Sequence, residues 1–193
     1  EGVPFAELIG PMVDAAEREL QAHHPAYVKR FDGAARANLL RALADDIADH
    51  LAPALQREFS LFRVRAGAAP ETCVPGQTAL YRSFIANLRG DDGPVFLVKY
   101  AGAARAVARR LETWRRNTGA LAERLERDMW DAIPRFLGIN PDARVRRVKA
   151  NLSDHHDGGQ SVIALEFEGG RRLFYKPRQV RIEDRKSTRL NSS

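Results

Sequence analysis

The sequence predicts an α+β fold, a mostly helical N-terminal region followed by an antiparallel β-meander. Three observations lead there. From Pro4 to about Phe136, apolar residues recur at three- and four-residue spacing, the period of one buried helical face. At Gly138 to Asp142 the period changes, and the runs that follow alternate apolar and polar residues as half-buried strands do. Between the last two runs stands Gly169-Gly170, a pair able to take the positive φ angles of a tight hairpin turn.

Each element has its own warrant. Phe5, Leu8, Ile9, Met12, Val13, Ala16 and Leu20 form one stripe, predicting a helix from Pro4 to about His24 that Pro25 ends. His23 and His24, at its end, read as surface residues. A second helical region runs from about Gly33 to Phe62 on Leu39, Leu40, Leu43, Ile47, Leu51, Leu55 and Phe59, with a kink expected at Pro53. Pro70 and Pro75 mark Gly67 to Gly76 as a loop, followed by a short helix holding Leu80, Tyr81, Phe84, Ile85 and Leu88. Gly90-Asp91-Asp92-Gly93-Pro94 turns the chain. After Val95 to Tyr100, a long helical pattern from about Ala103 to Phe136 carries Val107, Leu111, Trp114, Leu121, Leu125 and Ala132; two long helices, or one bent near Gly119, fit it equally. Charges on its other face, from Arg109 to Arg127, have mixed sign, which favours a solvated face laced with salt bridges over a nucleic-acid stripe. Arg144 to Leu152, Ser161 to Glu168 and Arg171 to Lys176 read as strands, with Ile163, Leu165 and Phe167 on the face that packs on the helices.

Composition bounds the function. The 193 residues are 44% hydrophobic, enough for a core in one domain or two small ones. No apolar run of about 18 residues offers a membrane span, and the N-terminus lacks a signal-peptide pattern, so a cytoplasmic protein is expected. The lone Cys73 cannot form an internal disulfide and belongs to no cysteine cluster for zinc. Net charge is +6, but residues 185–193 hold Arg185, Lys186 and Arg189 and no acid, so half of that excess is in the tail. The body is only mildly basic, and no nucleic-acid partner is expected. The tail, Arg-Lys-Ser-Thr-Arg-Leu-Asn-Ser-Ser, resembles translated sequencing-adapter DNA and is expected to be non-native; Glu1 in place of methionine predicts missing residues before it.

The chemistry-bearing stretch is Leu152-Ser153-Asp154-His155-His156-Asp157-Gly158-Gly159-Gln160-Ser161-Val162, with Phe174-Tyr175-Lys176-Pro177-Arg178 following the hairpin. Glycines without Cβ atoms let backbone N–H groups approach a polyphosphate, and a lysine ammonium supplies a point charge against it. Strand, glycine turn, strand, hairpin and lysine strand is the order of a kinase small lobe. Asp154, His155, His156 and Asp157 exceed what a phosphate turn needs. Metal-phosphate handling, proton transfer and an internal hydrogen-bond scaffold are all open readings; a local zinc site is disfavoured, since four adjacent residues rarely converge on one tetrahedral ion.

Leu152-Ser153-Asp154-x-His156-x-Gly158-Gly159-x-x-Val162 with Tyr175-Lys176-Pro177-Arg178 resembles the dehydratase domain of class II lanthipeptide synthetases, the LanM type. Upstream, Leu55-x-x-Glu58-Phe59 with Arg63, Tyr81-x-x-Phe84, Pro94 to Tyr100, and Trp114 followed by Leu121, Leu125 and Asp128 are similar to that family's helical portion, so the resemblance covers most of Pro4 to Glu183. It implies a lipid-kinase-like fold. Residues 1–140 would be its helical region, 141–184 the start of a kinase-like small lobe, truncated here, and 185–193 the non-native tail. The implied activity uses ATP and magnesium to phosphorylate serine and threonine of a leader-bearing precursor peptide, then eliminates phosphate to give dehydroalanine and dehydrobutyrine. Carried over, Lys176 contacts the ATP phosphates; Gly158 and Gly159 form the turn over them, and Arg178 contacts phosphate or braces that turn. Asp154 and His156 are the implied catalytic residues, their division of labour undecided, and His155 has no role.

The family's catalytic aspartate and asparagine, its metal-binding aspartate and its elimination residues follow the lysine strand and are not identifiable in this sequence. The chain by itself is therefore expected to be inactive. The zinc-dependent cyclase of the family would lie further on. Two other readings stand beside this one: an unrelated kinase-like phosphotransferase, and a helical peptide-binding module without catalysis.

Overall fold

The computed structural model describes residues 3–67, 79–149 and 162–175. In chain order these form α1 (Ala6–His23), α2 (Pro25–Arg30), α3 (Gly33–Arg65), α4 (Ala79–Arg89), α5 (Asp92–Lys99), α6 (Ala101–Asp128), α7 (Ala132–Leu137), β1 (Val145–Lys149), β2 (Ile163–Phe167) and β3 (Arg172–Tyr175). The fold is α+β, mostly helical with one small antiparallel sheet at the C-terminal end.

α1 buries Ile9, Val13, Ala16 and Leu20, the stripe read from the sequence. Pro25 ends that helix and also opens α2, where a missing N–H at the first position leaves no bond unmade. The sequence does not signal this short helix, because six residues give too little periodicity; it carries the fully buried Tyr27 and leads into the fully buried Phe31. Asp32 caps α3, its carboxylate accepting from Ala35 N–H at 2.8 Å. α3 then continues through Pro53, beyond the expected end at Phe62, to Arg65. At 33 residues it is about 50 Å long and contributes to both apolar clusters described below.

Two further boundaries differ from expectation. The sequence predicts a turn at Asp92, Gly93 and Pro94, but they form the first residues of α5. Gly93 is required there: a Cβ at this position would stand 2.5 Å from the carbonyl oxygen of Leu88. In α6 the chain neither divides nor stops at Gly119; one helix runs on to Asp128 and the break falls at residues 129–131. Gly119 serves tight packing instead, because a Cβ there would lie 2.6 Å from Nε2 of His24.

The helices enclose two apolar clusters. One joins Ile9 and Val13 of α1, Leu51, Leu55 and Phe59 of α3, Tyr81, Phe84 and Ile85 of α4, and Phe96 of α5. Phe59 meets Tyr81 edge-on, with ring centroids 5.6 Å apart. The other joins Leu20, Tyr27, Phe31, Ala35 and Leu39 to Leu121, Leu125, Met129 and Ile133, and to Val145, Val148, Leu165 and Phe167 of the sheet. Trp114 of α6 touches both clusters.

The sheet order is β1-β2-β3, the expected antiparallel meander. Its hairpin has three loop residues, Glu168, Gly169 and Gly170, rather than two: Phe167 N–H donates to Arg171 O at 2.8 Å, and Gly170 N–H to Phe167 O at 3.0 Å. Gly169 and Gly170 have φ of 83° and 78°, which glycine adopts without steric penalty. β1 departs from simple alternation. Val145 and Val148 are both buried although three residues apart, because the register shifts between Val145 and Arg147, so both valines face the core. β1 is also fastened to the helices. Asp32 N–H donates to Val145 O at 3.0 Å, Val148 N–H to Asn38 Oδ1 at 3.2 Å, and Arg144 Nη2 to the carbonyls of Val28 and Phe31.

The mixed charges of α6 form the solvated, salt-bridged face that the sequence predicts, and several of the bridges reach neighbouring helices. Arg110 pairs with Asp46 at 2.7 Å, Arg115 with Glu19, and Glu126 with Lys29 and Arg30. Arg30 is buried and also donates to Pro141 O at 2.6 Å.

Candidate functional site

Strand direction places three chain ends together. In an antiparallel meander the end of β1, the start of β2 and the end of β3 lie at the same edge of the sheet. Here Lys149 pairs with Ala164, and Ile163 pairs with Tyr175. The segment 150–161, which joins β1 to β2, and the residues after Tyr175 therefore both depart from one end of the sheet. Asp154, His156, Gly158 and Gly159 belong to that segment, and Lys176 and Arg178 follow Tyr175. All six lie outside the described residues, as do His155, Cys73 and the 185–193 tail.

The described frame at this edge is well defined. Leu165 and Phe167 anchor β2 in the core, against the cluster that includes Leu121 and Leu125 of α6. Arg124, one residue before Leu125, extends along the helix to β3. Its Nη1 donates to the Tyr175 hydroxyl oxygen at 2.7 Å, and its guanidinium carbon is 5.8 Å from the centroid of that ring. Partial burial raises the Tyr175 phenol above the ordinary tyrosine range, with the Arg124 charge opposing and Asp128 reinforcing that shift. The phenol is thus a neutral hydrogen-bonding partner at physiological pH. Lys149, exposed at the end of β1, adds a second positive charge. Among the described residues, no group of three or more His, Cys, Asp or Glu side chains could hold a metal ion.

Two cavities elsewhere escaped sequence reasoning. A polar cleft of about 570 Å³ between α1 and α6 is lined by Glu19, His23, His24, Glu112, Arg115, Arg116 and Glu123. His23 is exposed as expected, but His24 is only partly so: its Nδ1 hydrogen-bonds Glu123 at 2.6 Å. Arg115 is already shared by Glu19 and Glu112, so the cleft is internally neutralised. An apolar groove of about 340 Å³ lies among Leu8, Pro11, Met12, Leu51, Leu55, Leu88, Phe96 and Leu97. Its residues come from four helices, and no single periodic stripe signals such a groove. Among the described residues, no helix is long and apolar enough to cross a membrane.

Residues 100–192 match a family described as a domain of unknown function, DUF4135. The matched span takes in α6, α7, the three strands and both sequence motifs. No curated protein matches the chain, and no solved structure does.

Proposed function

We propose that this chain belongs to the dehydratase domain of a class II lanthipeptide synthetase. The supporting observation is the shared exit of two motifs from one sheet edge. Lys149, Ile163 and Tyr175 lie there together, and the Asp154–Gly159 segment and Lys176 adjoin them in sequence. The match of residues 100–192 to DUF4135 covers both motifs and α6.

In this reading Lys176, Arg178 and the backbone at Gly158 and Gly159 bind and orient the ATP phosphates, with Lys149 and Arg124 reinforcing the positive field. Magnesium would be held by residues other than the described ones. ATP supplies the phosphoryl group. That group passes to the hydroxyl oxygen of a serine or threonine in a precursor peptide as the hydroxyl proton leaves and ADP is released. In the second step a base removes the α-proton of the phosphorylated residue, the Cα–Cβ double bond forms and phosphate departs with the C–O electron pair. Asp154 and His156 are the candidates for moving these protons, since carboxylate and imidazole both work as general bases near neutral pH.

Mass spectrometry of a serine- and threonine-rich precursor peptide tests this reading. The full-length protein is supplied with magnesium and ATP. Loss of the mass of water from the peptide is expected, and phosphorylated peptide should accumulate where elimination is impaired. Stable phosphorylation with no dehydration by the wild-type protein would instead identify a kinase of another kind.

A further inference from the structure

The sheet has a second face, turned away from the helices. Because Leu165 and Phe167 of β2 point into the core, Ala164 and Glu166 point out, and β1 and β3 add Arg147, Lys149, Arg172 and Phe174 to the same side. Register sorts these residues into two rows. In one, Glu166 stands between Arg147 and Arg172, 3.9 Å and 3.1 Å from their guanidinium nitrogens. In the other, Ala164 stands between Lys149 and Phe174. Three cations thus share the face with one carboxylate, and Phe174 beside them is 62% exposed.

Both rows have contacts to offer. A guanidinium carries five N–H donors, so sharing Glu166 leaves most of those on Arg147 and Arg172 unused. Among the described residues, no acid pairs with Lys149. The small side chain of Ala164 leaves a dip between Lys149 and the Phe174 ring, which two strand spacings set roughly 10 Å apart.

We propose that this face is a docking surface for an acidic peptide segment that carries a carboxylate and an apolar side chain three residues apart. In a polyproline II conformation, with three residues per turn and a rise of about 3.1 Å, two such residues lie on one side about 9 Å apart. Laid across the strands, the segment sets its carboxylate on Lys149 and its apolar side chain on Phe174. A nucleic acid fits less well: it brings a negative charge with every nucleotide and meets Glu166 at the centre of the face, where a peptide can place an uncharged residue. The docking surface is independent of the nucleotide reading of Lys176.

The test is fluorescence anisotropy of a labelled peptide repeating Glu-Pro-Pro-Leu-Pro-Pro, titrated with the full-length protein without nucleotide, and thermal unfolding is recorded for every variant. Binding is expected at low salt and should weaken as salt rises. Lys149→Glu should weaken it about tenfold and Phe174→Ala about fivefold, with unfolding midpoints near wild type because both side chains are exposed. Glu166→Gln removes the one carboxylate and frees both arginines, so it should tighten binding about threefold, a gain that a merely structural role would not produce. No binding by the wild-type protein, or wild-type affinity in both Lys149→Glu and Phe174→Ala, would overturn the proposal. So would equal binding of a peptide with lysine in place of glutamate. Tighter binding of oligothymidylate than of the acidic peptide would overturn it in favour of a nucleic acid.

Discussion

The imidazole of His24 occupies the space that a side chain at position 119 would need, its Nε2 lying 2.6 Å from where a Cβ would stand. The opposite ring nitrogen, Nδ1, is 2.6 Å from Glu123 Oε1; since the carboxylate only accepts, Nδ1 carries the proton. α1 and α6 meet at this point. A glycine in mid-helix, costly by about 1 kcal/mol against alanine, is retained for contact.

Gly119→Ala should accordingly act in opposite directions in two backgrounds. In the wild type the clash and the displaced imidazole outweigh the gain in helix propensity, giving a net loss of about 1 kcal/mol. With His24→Ala already present, the same change should stabilise by about 1 kcal/mol, the helix-propensity difference alone. Urea unfolding of the four proteins measures both. Equal effects in the two backgrounds would show that His24 does not set the requirement.

Gly93→Ala has no such escape. The atom in its way is the backbone oxygen of Leu88, not a side chain that can swing aside. The α4–α5 corner has to open, and a loss of about 2 kcal/mol is expected. Chemical denaturation measures it, and an unchanged midpoint would mean that the corner yields freely.

Glu126 should govern acid stability. Hydrogen bonding from Arg30 first, with Lys29 assisting, holds its carboxyl below the usual carboxylate range despite the opposing effect of burial. A depressed folded value means that the contribution is complete above the unfolded value near about 4.3 and is lost as pH falls below it. Glu126→Gln leaves the buried Arg30 guanidinium without its counter-charge, at a cost of about 3 kcal/mol at pH 7. The penalty should shrink toward pH 3, below the unfolded value, where the carboxylate's contribution to stability is being lost. Unfolding free energies at the two pH values provide the comparison.

At the alkaline end, all four tyrosines are displaced upward. Burial is the leading cause at Tyr27, at Tyr175 and at Tyr81, which reaches about 12; at Tyr100 the first cause is its hydrogen bond to Glu58. Each raised value costs the folded state stability as pH climbs past the unfolded value of about 10. Folded and unfolded chains are equally protonated below about 10; above it the folded state holds protons that the unfolded state has released, and unfolding is favoured by rising pH. Ultraviolet titration should show little phenolate at pH 10, followed by cooperative ionisation as the fold opens. Half-ionised tyrosine at pH 10 in the native protein would contradict this.

The helical stripes were legible because α1, α3 and α4 each bury one face, and Val13, Leu43 or Phe84 needs only its own helix to announce it. Features made by two distant segments were not. Gly119 reads as a helix breaker until His24 is placed beside it, and nothing within Val145-Arg146-Arg147-Val148 declares the register shift that turns both valines inward. The hairpin was located by its glycines, but its length depended on pairing with Phe167. As for the candidate site, residue chemistry at Asp154, His156 and Lys176 was readable and its support was not: Arg124 sits 51 residues from Tyr175 in an ordinary-looking charged face.

The fastening of β1 to the first helices has a consequence during synthesis. Asn38 and Val148 are 110 residues apart, and Phe31 stays uncovered until the segment around Val145 has been made. At a translation rate of 5–20 residues per second, the nascent chain carries Tyr27 and Phe31 without their final cover for roughly 5 to 20 seconds. Over that interval α1, α2 and the front half of α3 present a sticky apolar surface to the cell. Only with the sheet in place does the apolar cluster around Tyr27 and Phe31 close.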